Sequence, residues 1–272
     1  MGGFGGFLGG MDSDSVSQLA DAAGGLDEPM QPSNAASPFP KPARIVVFTG
    51  PGLSREAGFA PFDPETMPSG VRLEEVVTRE GFARDPGRVY DFYNKRRREL
   101  LAAAPNAAHE ALAALDFMHP GDVLVVTRNI DDLHERAGNQ AVTHTHGELL
   151  KARCMICNKV SDWLGDLAAA DHCPVCGNGG HLRPHILWVG EEPLGMDTAY
   201  VALATCETFI SIGNPGGGEP GRGFVAEAKR AGARTLEFAA EPTPLSPQFD
   251  ERRHGRLADT VSVWAKRAIA IS

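Results

Sequence analysis

The sequence predicts an α/β fold in which helices cover both faces of a doubly wound parallel sheet. Apolar runs of four or five residues, as expected of strands buried on both faces, alternate with stretches that have the apolar spacing of helices. Strands that alternate with helices form parallel sheets, whose ligands bind at the carboxyl ends of the strands. The polar residues of most interest in this chain follow those ends, so we expect a ligand site there.

The first of these strands, Ile45–Phe48, leads into a glycine turn. The chain turns through Gly50, Pro51 and Gly52 and enters a helical pattern with Ser54 at its start. Free backbone N–H groups and the helix dipole would then point at one spot, which favours an anion such as a phosphate. Gly-x-Gly turns are common, so this turn indicates a phosphate site only together with the rest of the chain.

The remaining elements alternate after a proline-rich loop at 60–70. Apolar residues at helical spacing predict helices at 73–78, 89–104, 107–115, 224–231 and 261–270. Short apolar runs predict buried strands at 123–126, 141–146, 208–212 and 235–238. A polar segment at 127–134 follows one strand, a glycine-rich turn follows another, and His146 precedes Gly147 at the end of a third.

Composition and charge argue against two classes of function. The 272 residues carry a net charge of −9, which disfavours a nucleic-acid binder, including a zinc-ribbon module of that kind. No apolar run approaches the length of a membrane span. Residues 1–42 are rich in Gly, Ala, Ser, Pro and Asp and lack the features of a targeting signal, so we expect a disordered extension. We therefore predict a cytoplasmic protein without a direct nucleic-acid or membrane partner.

Four of the five cysteines form two Cys-x-x-Cys pairs with the spacing of a zinc ribbon. Fifteen residues separate the pair Cys154 and Cys157 from the pair Cys173 and Cys176. Each pair can direct two thiolates at one ion, and four thiolates complete a tetrahedral structural zinc site. Two disulfides or unrelated thiols are the alternatives, and a reducing compartment disfavours the disulfides. Cys206, in an apolar context, is expected to be a small buried side chain.

Separated motifs occur in a fixed order along residues 43–270. They are a Gly-x-Gly-x-Ser turn at 50–54, Thr-x-Asn-Ile-Asp-x-Leu-His at 127–134, His-Gly at 146–147, the two cysteine pairs, Leu-Arg-Pro-His-Ile-x-Trp-x-Gly-Glu at 182–191, a glycine-rich loop after a strand, and Glu-Pro at 241–242. This order resembles that of the sirtuins, the NAD-dependent protein lysine deacylases. The resemblance implies a Rossmann-like large domain and a smaller domain made of a helical module and a zinc ribbon.

The resemblance also implies a domain organisation and a set of ligands. Residues 1–42 would be an N-terminal extension and 43–272 the catalytic domain. The large Rossmann-like part is expected at 43–54, 105–148 and 186–272, and the small helical and zinc part at 55–104 and 149–185. NAD and an acyl-lysine protein or peptide would meet in the cleft between the two parts. One structural zinc ion is implied, and we expect a monomer.

Roles for individual residues follow from the same resemblance. His146 corresponds to the general base, which takes a proton from a ribose hydroxyl after the acyl oxygen attacks the ribose carbon that bears nicotinamide. Asn129 and Asp131 correspond to the residues that hold the nicotinamide ribose and amide. The other cofactor-binding positions that the resemblance implies are Gly50, Gly52, Ser54, Gly213, Asn214 and Glu241. Without the resemblance, His146 would be interpreted as a core histidine at the end of a strand, and we predict that the neighbouring His144 is one.

Two further segments correspond to substrate-binding positions. Gly190 and Glu191 correspond to a segment that pairs with the substrate backbone, and Val189 stands where the family has a Phe beside the acyl-lysine tunnel. Tyr93 and Arg96 share a helix face and resemble the Tyr-x-x-Arg pair of sirtuins that prefer succinyl- or malonyl-lysine. A phenol and a guanidinium together suit a carboxylate at the end of an acyl chain. The alternative is a solvated basic helix face.

Several cofactor positions differ from the sirtuin pattern. Pro51 replaces an Ala and lacks a backbone donor, Asp63 stands where an Arg is expected, and Arg128 replaces a Gln. Asn214-Pro215 replaces Thr-Ser, and Ala239 replaces an Asn. Each lost hydrogen bond is worth about 0.5–1.5 kcal/mol net. Two hypotheses therefore stay open: an active deacylase for succinyl, malonyl or acetyl groups, and a catalytically weak or inactive relative that binds NAD, ADP-ribose or an acylated partner.

Overall fold

The computed structural model describes residues 44–60, 70–119, 122–216 and 219–271 of the chain. All of these residues lie within the compact unit Lys41–Ser272. Within these ranges the strands are β1 (Ile45–Thr49), β2 (Val123–Thr127), β3 (Val142–His144), β4 (Gly147–Cys154), β5 (Val160–Asp162), β6 (Leu182–Ile186), β7 (Thr208–Ile212), β8 (Arg234–Ala239) and β9 (Glu251–His254).

The α-helices of the described ranges fill the connections between these strands. They are α1 (Pro51–Glu56), α2 (Leu73–Val76), α3 (Arg79–Arg84), α4 (Pro86–Ala102), α5 (Ala107–Met118), α6 (Leu133–Ala137), α7 (Met196–Leu203), α8 (Gly221–Arg230) and α9 (Leu257–Ile271). None of these helices is long and apolar enough to cross a membrane.

The main sheet is parallel and has the strand order β3-β2-β1-β7-β8-β9. Its central strands are buried on both faces because helices cover each side. Successive side chains of a strand point to opposite faces, so Phe48 packs with α7 and α8 while Val47 packs with α5 and α9. Phe48 meets Phe224 of α8 edge-on, with ring centroids 4.9 Å apart. The predicted doubly wound α/β fold is therefore confirmed.

A smaller antiparallel sheet, in the order β5-β4-β6, forms a second core with α2, α3 and α4. Polar bonds connect α4 to this sheet. The buried Arg97 guanidinium donates to the Leu149 carbonyl at 3.0 Å and to Asn94 Oδ1 at 2.6 Å. The Tyr90 hydroxyl donates to the Leu182 carbonyl at 2.6 Å. The two sheets are joined by the short turn between β3 and β4.

That turn corrects the predicted strand at 141–146. The parallel strand β3 ends at His144, and Thr145 and His146 form a turn before β4 begins. Glycine is required after the turn, because Gly147 has φ +81° and a Cβ atom there would lie 2.1 Å from the His185 carbonyl oxygen. The predicted boundary between the large and the small part, between residues 148 and 149, lies within β4 and stays a prediction.

Other differences from the predicted elements have local causes. The first helix begins at Pro51, whose fixed φ suits the first helical position, so Ser54 lies inside it. The edge strand β9 has no apolar run, because its sequence is Glu-Arg-Arg-His and its alternate residues are exposed. The helices α3, α6 and α7 have eight residues or fewer, too short to give a clear apolar period.

Candidate active site

The carboxyl ends of β1 and β7 meet through direct backbone contact. A Cβ atom on Gly52 would lie 2.9 Å from the Gly213 carbonyl oxygen, and one on Gly213 would lie 2.7 Å from the Leu53 nitrogen. Gly213 also has φ +66°, which side chains disfavour. On the other side of the turn, a Cβ atom on Gly50 would lie 2.3 Å from Asn214 Oδ1. Three of the predicted cofactor positions are therefore glycines for reasons of packing.

The backbone N–H groups of this turn are not free, contrary to our prediction. Gly50 donates to the Ile212 carbonyl and Gly52 to the Gly213 carbonyl, each at 2.9 Å, while Leu53 donates to the Gly50 carbonyl at 3.1 Å. Pro51 has no N–H group. The turn therefore offers no ready set of backbone donors to an anion in this structure, because those donors hold the two strand ends together.

Two neighbouring cavities open at this end of the sheet. The first, of about 210 Å³, is called the His146 cavity, and its polar lining includes Ser54, Arg96, Arg128, Asn129, Asp131 and His146. The second, of about 650 Å³, is called the Glu241 cavity, and its lining includes Gly52, Gly213, Asn214, Ala239 and Glu241. Pro51 and Arg128 line both. Asp63 lies outside the described residues.

The floor of the His146 cavity is a network of buried polar groups. The Ser54 hydroxyl donates to Asp131 Oδ2 at 2.7 Å, and the Leu133 N–H donates to Asp131 Oδ1 at 3.3 Å. Burial raises the pKa of Asp131 despite these two hydrogen bonds. Asn129 is also buried, and its Nδ2 atom has no hydrogen-bond partner among the described residues. Asn129 Nδ2 is therefore a buried donor beside the cavity that is available to a ligand.

The hydrogen bonds of Thr145 determine the tautomer of His146. The Thr145 hydroxyl lies 3.0 Å from the Thr127 carbonyl oxygen and 2.8 Å from His146 Nδ1. A carbonyl can only accept, so both contacts are satisfied only if the hydroxyl donates to the carbonyl and the imidazole donates through Nδ1–H. The lone pair then lies on Nε2. His146 is thereby held in the form in which Nε2 can accept a proton.

The charge state of His146 depends on burial and on Arg128. Burial, together with the positive charge of Arg128, lowers the pKa of His146 to about 4. The imidazole is consequently neutral at pH 7, as a proton acceptor must be. Arg128 is half-buried, and burial lowers the pKa of its guanidinium; its Nε atom is buried and has no partner among the described residues. Arg128 is therefore a second buried donor beside the cavity.

The neighbouring histidines are structural. His134 is buried, which lowers its pKa to about 3, and its Nε2 lies 3.0 Å from the Thr49 hydroxyl. His144 lies between the Asn129 carbonyl, 2.9 Å from Nδ1, and Glu135, 2.8 Å from Nε2. Burial lowers the pKa of His144, but Glu135 outweighs burial and raises it. His144 therefore supports the backbone of Asn129 and occupies the core position that we predicted for it.

Tyr93 and Arg96 are placed differently, although both lie on α4. The Arg96 guanidinium lines the His146 cavity, where it bonds Glu99 and the Ala60 carbonyl and lies 4.3 Å above the Phe59 ring. Tyr93 is fully buried in the core of the smaller sheet and is not among the described residues that line the cavity. Burial raises the pKa of the Tyr93 phenol. Only Arg96 of this pair contributes to the described cavity wall.

The segment after β6 contains the predicted substrate-binding residues. Val189 is 71% exposed and donates through its N–H to the Val77 carbonyl at 2.9 Å. Glu191 accepts from Arg183 at 2.9 Å and from the Trp188 N–H at 3.0 Å. Burial raises the pKa of Glu191, but these bonds outweigh it and hold the pKa below its usual value. Gly190, with φ +86°, has open space beside it.

The four predicted zinc ligands converge. Their Sγ atoms all lie within 4.8 Å of one another, in the set Cys154, Cys157, Cys173 and Cys176. The distances Cys154–Cys176 and Cys157–Cys173 are both 3.7 Å, far longer than a disulfide bond. A tetrahedral zinc ion with Zn–S bonds of about 2.3 Å requires Sγ–Sγ distances of about 3.8 Å. The geometry therefore fits one closed, structural zinc site.

The backbone of both cysteine pairs is shaped for this site. The residue after each Cys-x-x-Cys has a positive φ, +58° for Asn158 and +73° for Gly177, and its N–H donates back to the first cysteine carbonyl. The Asn178 amide donates to Cys176 Sγ at 3.3 Å, which lowers the pKa of that thiol to about 6. Such turns aim two thiolates at one ion.

Comparisons with known proteins identify the family of this chain. The model of the Sir2 family matches residues 50–218. A Yersinia pestis protein named NAD-dependent protein deacylase is 47% identical over 225 residues, which cover 82% of this chain and 81% of that protein. A Vibrio vulnificus (strain YJ016) protein of the same name is 45% identical over 229 residues, covering 83% and 94%. The chain belongs to the Sir2 family.

Solved Sir2 structures have the same fold. A Sir2 homologue in complex with NAD has a TM-score of 0.74 and 30% identity, and the match covers 83% of this chain and 90% of that one. A mutant Sir2 homologue in complex with ADP-ribose has a TM-score of 0.75 and 30% identity, with coverage of 84% and 94%. The resemblance inferred from the sequence motifs is therefore confirmed.

Two residues of this Sir2 site were not among the site residues predicted from the sequence. Arg128 was noted only as a departure from the family pattern, yet it lines both cavities. Its position directly after β2, beside Asn129, was the available signal. Thr145 gave no signal, because its contact with His146 depends on the turn that ends β3.

We predict that the purified protein contains one equivalent of tightly bound zinc. Cys173→Ser should lose the metal and lower the thermal unfolding midpoint, since a structural zinc site contributes directly to folding. Elemental analysis and thermal unfolding check both statements. Cys206→Ala is the matched control, because Cys206 lies in the core of the main sheet and should leave the metal in place. Well under one equivalent in fresh native protein would contradict this prediction.

We predict that Thr145→Val releases the His146 tautomer, because valine cannot accept the Nδ1–H bond. Nitrogen NMR of the imidazole should change from a single Nδ1–H form to a mixture, and kcat should fall by about tenfold, the loss of one buried hydrogen bond of ~1–1.5 kcal/mol. Thr145→Ser, which keeps the hydroxyl, should restore both. An unchanged tautomer in the valine variant would show that Thr145 does not orient the ring.

Proposed function

We propose that this protein removes acyl groups from the lysine side chains of proteins in an NAD-dependent reaction that yields nicotinamide and O-acyl-ADP-ribose. The observation that carries the proposal is the His146 cavity, where a neutral imidazole with its lone pair on Nε2 faces the same space as Asn129 and Asp131. The relatives named NAD-dependent protein deacylase support it. The acylated substrate protein and a cytoplasmic, monomeric enzyme remain our predictions.

The donors around the two cavities fit NAD. Asn129 Nδ2 and Arg128 Nε are buried and have no partner among the described residues, so both can donate to a polar ligand. Arg128 lines both cavities and supplies a positive charge where a dinucleotide that spans them would carry its phosphates. NAD, when bound, supplies the ribose carbon to which the acyl oxygen becomes attached and from which nicotinamide leaves. Gly213, Asn214 and Glu241 would border its adenosine half.

The residues of this chain then have distinct tasks. His146 accepts a ribose hydroxyl proton at Nε2 while Thr145 holds Nδ1–H. Asn129 donates from its amide, and the backbone carbonyl of Asn129 is fixed by His144. Asp131, oriented by Ser54, provides a buried carboxylate that accepts hydrogen bonds. The low pKa of His146, about 4, keeps the base unprotonated over the whole neutral range.

The acyl group is proposed to be one that ends in a carboxylate, such as succinyl or malonyl. Arg96 supports this, because its guanidinium lines the His146 cavity and is held in place by the Phe59 ring and the Ala60 carbonyl. Glu99, which is partly exposed, is its present ion-pair partner. A carboxylate in the cavity would compete with Glu99 for the guanidinium, whereas an acetyl group would leave that ion pair unchanged.

A weak or inactive protein that binds NAD, ADP-ribose or an acylated partner is the second candidate. One observation favours it: the N–H groups of Gly50 and Gly52 are used within the protein, and Asn214 Nδ2 donates to the Phe48 carbonyl and to Ser211 Oγ. Fewer donors consequently remain for the phosphates of a cofactor. A direct titration with NAD and ADP-ribose distinguishes the two candidates when it is combined with turnover.

We predict that the protein releases nicotinamide with succinyl- and malonyl-lysine peptides, and that His146→Ala abolishes this release. Arg96→Met should lower kcat/KM for desuccinylation by at least about tenfold, since a charge-assisted hydrogen bond is worth ~1.5–3 kcal/mol. Deacetylation should change much less, because acetyl has no carboxylate.

The matched control for that substitution is Lys95→Met, which removes an exposed positive charge from the same helix. It should leave both activities unchanged. Equal losses of desuccinylation and deacetylation in the Arg96 variant would mean that Arg96 does not recognise the acyl carboxylate. No release above the His146→Ala background with any of the three peptides would remove the enzyme proposal.

We predict that Arg128→Gln weakens the binding of NAD and ADP-ribose by about tenfold, measured by calorimetric titration. It should also move the acid limb of kcat/KM to higher pH. Removing the positive charge makes the imidazolium form of His146 less unfavourable, so its pKa rises from about 4 toward its ordinary value of about 6.5. Arg267→Gln, on the exposed side of α9, is the control; unchanged affinity in the Arg128 variant would exclude a phosphate contact.

A further inference from the structure

Three arginines surround a pair of cavities beside the smaller sheet. Arg79, Arg153 and Arg183, with Glu191, line both a cavity of about 470 Å³ and one of about 300 Å³. We call this surface the arginine groove. The three arginines come from the start of α3 and from the neighbouring strands β4 and β6, where Arg153 pairs with Arg183 across the sheet.

The groove carries an excess of positive charge. Glu191 accepts from Arg79 at 3.0 Å and from Arg183 at 2.9 Å, and the Arg183 guanidinium lies 4.0 Å above the Trp188 ring. Arg153 has no ion-pair partner among the described residues, and its buried Nε atom has no hydrogen-bond partner there. The exposed Glu192 also lines the smaller cavity, so three positive charges face two negative ones.

His185 also lines the smaller cavity. Burial and, next, the positive charge of Arg153 lower the pKa of His185 to about 4, with smaller effects of Lys151 and Arg183, while Glu148 opposes the shift. The imidazole is therefore neutral at pH 7 and does not add to the charge of the groove. The charge that a ligand meets here comes from guanidinium groups.

The groove adjoins the His146 cavity. Ile186 and Leu187 line both its smaller cavity and the His146 cavity, so the two spaces share a wall. Gly190, with open space beside it, also lines the groove. A peptide whose acylated lysine enters the His146 cavity would therefore carry its neighbouring residues past the arginines.

We propose that the arginine groove binds acidic side chains that flank the acylated lysine, so that the preferred substrates are lysines in acidic sequence surroundings. This inference rests on the proposed function, because it takes an acylated lysine as the substrate. Its test measures binding and does not require turnover. A peptide is favoured over a nucleic acid because the groove adjoins the His146 cavity, which we propose to receive an acylated lysine.

The test measures the binding of fluorescein-labelled succinyl-lysine peptides to the full-length protein. NAD is left out, so that binding is measured apart from catalysis. Three peptides of equal length carry aspartates, glutamines or lysines on both sides of the succinyl-lysine. Fluorescence anisotropy should give the lowest Kd for the aspartate peptide, about fivefold below the glutamine peptide, as expected for partly exposed charge pairs. The difference should shrink as salt is raised.

Arg153→Gln should remove that fivefold difference and leave the Kd of the glutamine peptide unchanged. Arg153 is the residue of choice because it has no ion pair whose loss would disturb the fold. The matched control is Arg252→Gln, which removes an exposed arginine of β9, outside the groove, and should preserve the preference.

Equal affinity for the aspartate and lysine peptides in the native protein would overturn the proposal. A preference for the aspartate peptide that survives in Arg153→Gln would also overturn it. The same holds if a short oligonucleotide of equal charge displaces the labelled aspartate peptide at a lower concentration than the unlabelled aspartate peptide does. A preference for aspartate in binding, with no nicotinamide release from any peptide, would leave the groove supported and the deacylase proposal refuted. The two failures are thereby distinguishable.

Discussion

The site depends on the backbone contact between the β1–α1 turn and the end of β7. Gly52 donates to the Gly213 carbonyl at 2.9 Å, and no side chain could stand at either position without displacing backbone. The Asn214 amide adds a bond to the Phe48 carbonyl at 3.0 Å, which ties the ends of the same two strands. This contact fixes the wall between the His146 cavity and the Glu241 cavity, since Pro51 lies in both linings.

The contact between the β1–α1 turn and β7 explains how the turn tolerates Pro51, which departs from the family pattern. Pro51 lacks an N–H group, but at the first position of α1 no intrahelical bond is lost. The N–H groups beside it already bond β7, so the turn acts through packing more than through anion binding. The buried donors without a partner, Arg128 Nε and Asn129 Nδ2, come from the end of β2. The buried polar donors beside the His146 cavity therefore belong to the strand next to β1 in the sheet.

Sequence reasoning recovered what depends on local pattern. The buried strands, the four zinc ligands and the residues after β2 follow from apolar runs and short spacings, and the structure brings them together. Sequence reasoning did not recover what depends on tertiary geometry. Tyr93 and Arg96 are three residues apart on α4, yet Tyr93 lies in the core and Arg96 lines the cavity. Arg96 is the one residue of α4 among the described residues that line this cavity. The role of Thr145 required the turn at Gly147 to be known.

The charge of the whole chain is a poor guide to what the site binds. The net charge of −9 is a sum over the whole chain, whereas at physiological salt the effect of a surface charge is screened beyond about 8 Å. The buried Arg96 and the half-buried Arg128 both line the His146 cavity, and Arg153 lines a neighbouring cavity that shares Ile186 and Leu187 with it. Each therefore acts on a ligand at short range and low screening, where one guanidinium outweighs many distant carboxylates. An acidic chain can in this way offer local positive charge to the anionic cofactor, the anionic acyl group and the acidic peptide that we propose as its ligands.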